Sequence, residues 1–502
     1  MQDRRTAGDY SFLLQTPLKK QWEKIGLERK AGVVFPLFSI FSKKSAGIGE
    51  IPDLKLAVDW CRLTGHKILQ VLPLNDTGFL ASPFSPHSSI ALNPIHLSIS
   101  ELRGAVNTTR QVKRLRKEFP TSGRLVDYRM GEKKIGLLRS LFRESLSDDG
   151  EFRRFLKENR HWVRDYALFR ALKSHYGEKP WELWDPSYRE RKKSALEFFE
   201  KKNAGEIFFW QWIQWQLFEQ LKDVRKYADK KSVLMKGDLP FLVSKDSADC
   251  WANQKYFKMH LSAGSPPDEF SREGQYWNMP PYNWSEILKD NFTYFKQKLK
   301  YAENFYRMFR LDHIVGFFRI WSLSEKEKFF DPKNEKTQKQ RGREILELII
   351  KNTEMLPCAE DLGTVPLFCR ETLRDLGIPG LDVARNQKDY RELAVSTLST
   401  HDLNLYPAWL QNQGREVNGK IIRENLELVS SSPGIFNILL VFEWLFLDET
   451  IKKEEALSYE INDPSKDRPE NWKIRLPLSI EDLIESPLNR KIKEINEGGG
   501  RC

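Results

Sequence analysis

Short apolar runs that end in polar residues alternate along this chain with longer stretches whose apolar positions recur every three to four residues. GVVFPLF (32–38), KILQVLPL (67–74), SVLMKGDLP (232–240), MFRLDHIV (308–315), EMLPCAEDL (354–362), GIPGLDVAR (377–385) and AVSTLSTHD (394–402) have the length and continuity of buried strands. Strands alternating with helices predict a parallel sheet, and this many predict a closed α/β barrel over an open sheet.

The rhythm breaks between residues 100 and 230, which read as nearly continuous helix inserted between two strands. In EIFFWQWIQWQLFEQLKDV (206–224) the aromatic positions recur at helical spacing, which predicts helix packing. A second irregular stretch, 244–290, is rich in Pro, Gly and Trp and directly follows a strand; barrel loops at that end carry function. The expected organisation is the start of a barrel over 1–99, a helical insertion over 100–230, the rest of the barrel over 231–490 with a loop insertion at 244–290, and a disordered tail at 491–502.

Composition narrows the function classes. With 40% hydrophobic and 30% charged residues, the 502-residue chain can build a large core and stay soluble. The net charge of +11 is dispersed, and its densest runs, RQVKRLRK (110–117) and YRERKK (188–193), lack interleaved aromatics. They read as solvated helix faces, so no nucleic-acid partner is expected. Cys61, Cys250, Cys358, Cys369 and Cys502 are scattered, with no CxxC pair and no Cys/His cluster at metal-ligand spacing. No metal site is expected, Cys358 reads as a small buried thiol, and a reducing cytoplasm is the natural compartment. The start, MQDRRTAGDYSF, has no apolar h-region and no run of about 18 apolar residues follows, so no membrane is expected.

Candidate chemistry sits at the ends of the apolar runs. FRLDHIVGFFRIW (309–321) places Arg310 and Asp312 two residues apart, on one side of a strand by alternation. Alone, the pair reads equally as a buried brace or as a functional site. Other runs end in Asp238, in Glu360 and Asp361, and in His401 and Asp402. Helix capping explains one or two such aspartates but explains a glutamate poorly. Carboxyl groups converging on one barrel mouth suit glycosidic-bond chemistry, which pairs a carboxylate nucleophile with a carboxylic acid. Asp312, beside Arg310, is the better nucleophile; Glu360, on an apolar strand, is the better acid/base. Asp402 with His401 is placed to bind sugar hydroxyls in the transition state. Tyr276 and Trp277 offer flat rings for a sugar face, against a loop-anchoring role. Asp249 reads as a turn or helix cap, and His87 and His313 as structural histidines.

RLDH, AEDLG and STHD resemble blocks of the 4-α-glucanotransferases (amylomaltase or disproportionating enzyme, glycoside hydrolase family 77). The resemblance runs from about residue 30 to 475 and is most specific in GSPPDEFSREGQYWNMPPYNW (264–284). It also takes in AGIGEIPDL (46–54), LPLNDTG (72–78), SPFSPHSSIALNP (82–94), GDLPFLVSKDSADCW (237–251) and INDPSKDRPENWKIR (461–475). It implies a (β/α)₈ TIM barrel with helical insertions and no separate C-terminal β-sandwich. It also implies retaining transfer of α-1,4-glucan segments, with α-1,4-glucans (maltooligosaccharides, glycogen or starch) as partners and no cofactor. By position, Asp312 matches the nucleophile, Glu360 the acid/base and Asp402 the transition-state stabiliser. Arg310, His401 and Asp238 match the donor-sugar site. Asp268, Gln275 and Trp277 match a mobile loop over the cleft, and Ser82 and Asn462 match further glucan contacts. Three positions depart from the commonest pattern. Phe84 stands where many relatives have Tyr, so its ring is retained and a hydroxyl contact is lost. Val315 replaces an arginine, and LNL follows THD. These departures bear on chain-length and acceptor preference. The rival expectations are an α-amylase-type hydrolase and a non-catalytic glucan-binding protein.

Overall fold

The computed structural model describes residues 9–104, 108–144, 150–267, 273–385, 390–464, 466 and 468–501. Eight parallel strands form its central sheet: β1 (Lys30–Phe35), β2 (Ile68–Val71), β3 (Leu234–Leu239), β4 (Met308–Leu311), β5 (Leu356–Ala359), β6 (Gly380–Val383), β7 (Ala394–Thr397) and β8 (Phe436–Leu440). Their order is β6-β7-β8-β1-β2-β3-β4-β5, so each strand neighbours its sequence neighbours and β8 returns beside β1. The two edges meet where the Ala359 N–H donates to the Pro379 carbonyl at 2.7 Å. This is the expected TIM-type barrel.

Seven strands coincide with the apolar runs, and β8 was hidden in the sequence. It lies within GIFNILLVFEWLF (434–446), a buried apolar stretch, interrupted only by Asn437 and Glu443, that also holds the helix Val441–Leu445. Periodicity cannot divide strand from helix when every position is buried. FRLDHIVGFFRIW is likewise not one element. β4 stops at Leu311, Val315–Phe318 is a short helix, and Ile320–Leu323 joins a separate antiparallel sheet with Ser262–Ser265, Gln275–Tyr276 and Lys328–Asp331.

Between β2 and β3 run the helices α1 (Thr109–Glu118), α2 (Met130–Glu144), α3 (Gly150–His175), α4 (Lys193–Lys202) and α5 (Ala204–Lys230). The aromatic residues Trp210, Trp212 and Trp215 of α5 are buried. Its glutamines carry a second task. Gln214 accepts from the Leu92 N–H and donates to the Leu92 carbonyl, and Gln220 does the same for Ser98 and Gln216 for Arg103. Three amide side chains thus pair with backbone groups along residues 92–103, a segment outside the strands of either sheet.

The last described residues differ from the expected disordered tail. After helix α6 (Thr293–Ala302), which precedes β4, the chain ends in helix α7 (Leu488–Gly498) and a fully buried Arg501. The Arg501 guanidinium donates to the carbonyls of Ser432 (2.7 Å) and Gly434 (2.8 Å), and its own carbonyl accepts from Ala31. The Gly-rich composition of EGGGRC masked an arginine that seals the floor of the barrel. Cys502 lies outside the described residues.

Candidate active site

β3, β4 and β5 run side by side, with Asp238 opposite Arg310 and Arg310 opposite Cys358 in register. That register places Asp238, Arg310, Asp312 and Glu360 at one end of the barrel, the C-terminal mouth. Gly237 permits the approach: a Cβ there would lie 2.5 Å from the Tyr306 ring. Asp312 lies one residue beyond β4, in a turn where His313 adopts φ +45°, so strand alternation does not set its direction. Its carboxylate nevertheless reaches Arg310 Nη1 at 2.8 Å.

Arg310 is the hub of the cluster. Its Nη1 also donates to both oxygens of Asp238 (3.0 and 3.1 Å), and its Nη2 lies 3.7 Å from Glu360. Burial alone would lower the guanidinium pKa, but Asp238, Asp312 and Glu360 raise it, so the cation persists. Glu360 accepts from the His313 N–H and the Leu362 N–H, both at 2.9 Å. Desolvation, with Asp312 adding to it, outweighs Arg310 and these two donors and pushes the Glu360 carboxyl up to about 7. Desolvation also lowers the His313 imidazole to about 4, which keeps it neutral.

The loop after β7 brings His401 and Asp402 to the same mouth. It is tied down by the buried Glu443, which accepts from Ser399 Oγ and from the Tyr406 N–H. His401 Nε2 lies 2.9 Å from Asp402, and Asn462 Nδ2 donates to the other carboxylate oxygen at 2.8 Å. Desolvation opposes the Asp402 charge, but His401 and Asn462 prevail and lower the carboxyl to about 2. Asp402 is the most open of these acids, with 43% of its side chain accessible. The mouth therefore holds one carboxyl poised near neutrality and one firmly ionised.

Aromatic rings frame the acids. Phe84 stacks on His401 (centroids 4.6 Å apart, planes at 16°) and faces Arg310. The Phe84 N–H donates to Ser82 Oγ at 3.3 Å, which places Ser82 in the same loop turn. Trp277 meets His313 edge-on at 5.0 Å and donates its indole N–H to Gln275 at 2.8 Å. Tyr276 lies between them in sequence, and 66% of it is exposed. Asp268 lies outside the described residues.

Asp249 is not a cap. Ser247 caps its helix by accepting from Cys250, whereas Asp249 accepts from the Ser89 N–H (3.0 Å) and the Tyr294 hydroxyl (2.6 Å), fastening the 82–94 loop to α6. Sequence reading also passed over Trp472. It adopts φ +64°, packs on Phe84 (5.6 Å) and His401 (5.7 Å), and donates its backbone N–H to Ile461, the residue before Asn462. Both side-chain partners of Asp402 are thus braced by one residue.

A family profile described as 4-alpha-glucanotransferase, glycoside hydrolase family 77, matches residues 35–479. The 4-alpha-glucanotransferase of Chlamydia muridarum is 37% identical over 95% of this chain and 97% of its own. That of Chlamydia pneumoniae is 36% identical over 97% of this chain and 99% of its own. Among solved structures, an amylomaltase from Streptococcus agalactiae in complex with acarbose superposes with a TM-score of 0.80. It covers 94% of this chain and 100% of that one at 24% identity, a likeness of fold.

Proposed function

The chain belongs to the 4-α-glucanotransferases of glycoside hydrolase family 77, and from that premise we propose which residues carry the transfer and by what route. The activity is transfer of glucan segments. The donor is an α-1,4-glucan, from maltooligosaccharides to glycogen or starch, and the acceptor is the 4-hydroxyl of glucose or another glucan. Asp312 attacks the anomeric carbon while Glu360 protonates the departing glycosidic oxygen, leaving a covalent glycosyl-aspartate. Glu360, now a carboxylate, removes the proton from the acceptor 4-hydroxyl, which displaces Asp312. Two inversions give net retention. Asp402, held ionised, binds sugar hydroxyls as positive charge develops in the ring. Arg310, Asp238, His401 and Asn462 orient the donor sugar, with Phe84 and Trp277 against its apolar faces and Gln275 and Ser82 at the rim. The helical segment 100–230 and the loop 244–290 are insertions that shape the cleft. The free, buried thiols of Cys61, Cys250, Cys358 and Cys369 suit a reducing cytoplasm.

One observation carries this assignment. The Glu360 carboxyl, raised to about 7, shares Arg310 with Asp312, so a proton donor and a carboxylate face one site at neutral pH. Maltotriose is the decisive substrate. Glucose together with longer glucans supports transfer, rising reducing ends mark a hydrolase, and unchanged sugar marks a binder. Asp312→Asn should lower kcat by about 10⁴-fold or more; full activity in that variant would remove Asp312 from the role.

A further inference from the structure

Helix α6 carries three lysines at alternate positions, Lys296, Lys298 and Lys300, and only Lys298 is buried, at 4% exposed. It sits in the inward stripe with Tyr294, Phe295, Leu299 and Ala302, where an apolar side chain would pack without the cost of a buried charge. Among the described residues no carboxylate lies within ion-pair distance of its ammonium. The Nζ instead donates to the Pro240 carbonyl at 2.8 Å, just beyond β3. That carbonyl and the Phe241 N–H are two ends of a single peptide group. The Phe241 N–H, in turn, donates to Asp312 Oδ2 at 3.4 Å.

We propose that Lys298 is a positioning residue for the reaction, holding Asp312 through the Pro240–Phe241 peptide. A cation on the carbonyl end of a peptide polarises its N–H, and the polarised N–H fixes and favours a carboxylate on the other side. Arg310 grips Asp312 from within the barrel, through Oδ1, and the peptide holds the second oxygen. The carboxylate is thereby held at both oxygens, one by the Arg310 guanidinium and the other by a backbone N–H. The charged groups that act on Lys298 are Asp249, anchored by Ser89 and Tyr294, and Asp312 itself. Both keep the ammonium charged against desolvation, which brings its pKa down to about 8. The inference rests on Asp312 as nucleophile.

The test isolates the attack of Asp312 from the proton transfer by Glu360. A 5-fluoro-α-glucosyl fluoride needs no acid: Asp312 bonds to C1 as the C1–F bond breaks and fluoride leaves with the electron pair. The rate of covalent labelling is measured by intact mass for the parent, Lys298→Met, Lys298→Gln and Lys298→Arg, with melting temperatures for each. K298M is expected to label about 10- to 100-fold more slowly, with KM for maltotriose within about 3-fold of the parent. K298R should recover to within about 5-fold. K298Q, which keeps a donor but loses the charge, should fall between them. If K298M fails to fold, K298Q decides. Labelling of a folded K298M or K298Q at the parent rate, with only the melting temperature changed, overturns the proposal. Failure of the underlying reading shows separately, since Asp312→Asn would then still be labelled.

Discussion

Burial and the neighbouring Asp312 raise the Glu360 carboxyl to about 7, whereas the unfolded chain holds it near 4.5. Between those values the folded protein binds more protons than the unfolded one, so this group's contribution to stability falls as pH rises through the window. The loss amounts to on the order of 3 kcal/mol once pH passes 7. Glu360→Gln cannot ionise. Its unfolding free energy relative to the parent should therefore increase between pH 5 and pH 8, read from urea titrations at each pH. A difference that stays flat across that range means the carboxyl is not raised. The same substitution should lower kcat by about 10²- to 10⁴-fold, since the proton donor is gone. The acids were legible in the sequence because a charge inside an apolar run is conspicuous. Lys298 and Trp472 were not. A lysine between two other lysines looks like a solvated face, and a tryptophan after PEN looks like a loop anchor. Only their partners, the Pro240 carbonyl and the Phe84–His401 stack, set them apart.

Elements show the same division between what patterns reveal and what packing decides. The helical period of α5 was plain from its Trp and Phe positions, and it identifies the packed face. It says nothing of Gln214, Gln216 and Gln220, which look like ordinary polar helix positions yet pair with the backbone of residues 92–103. Gln220 accepts from the Ser98 N–H and donates to the Ser98 carbonyl, both at 2.9 Å in a buried setting. Gln220→Leu keeps the volume and orphans both groups, at about 1–3 kcal/mol each. The urea midpoint should drop by the equivalent of about 2–6 kcal/mol, whereas Lys222→Gln on the same helix should leave it unchanged within about 0.5 kcal/mol. Equal midpoints for the two variants would show that the Ser98 backbone is satisfied elsewhere. β8 eluded the sequence for the opposite reason: SSSPG marks its start, but the strand passes directly into the buried helix Val441–Leu445, so no polar turn marks its end.

For the whole molecule, the barrel separates the chemistry from the seal. Asp312, Glu360 and Asp402 lie beyond the C-terminal ends of β4, β5 and β7, whereas Arg501 joins Ala31, near the start of β1, to the carbonyls of Ser432 and Gly434 before β8. In a TIM barrel, residues at the first end act on reaction and those at the second on stability. The alternation of runs made the barrel legible, but the seal at its N-terminal end includes a residue whose Gly-rich surroundings read as disorder. Arg501 is buried among neutral carbonyls, and desolvation and Arg29 lower its guanidinium to about 9. Arg501→Ala removes every donor to the Ser432 and Gly434 carbonyls that this side chain supplies and leaves a cavity, at a total cost of about 2–4 kcal/mol. The melting temperature should fall by several degrees, while kcat and KM for maltotriose, measured well below the melt, should stay within about 2-fold of the parent. A kcat that falls with the melting temperature would mean that the two ends of the barrel are coupled. Unchanged kinetics in R501A, beside slowed labelling in a variant of Lys298, would place the mechanical support of Asp312 in α6 and the loop after β3 rather than in the rigidity of the barrel as a whole.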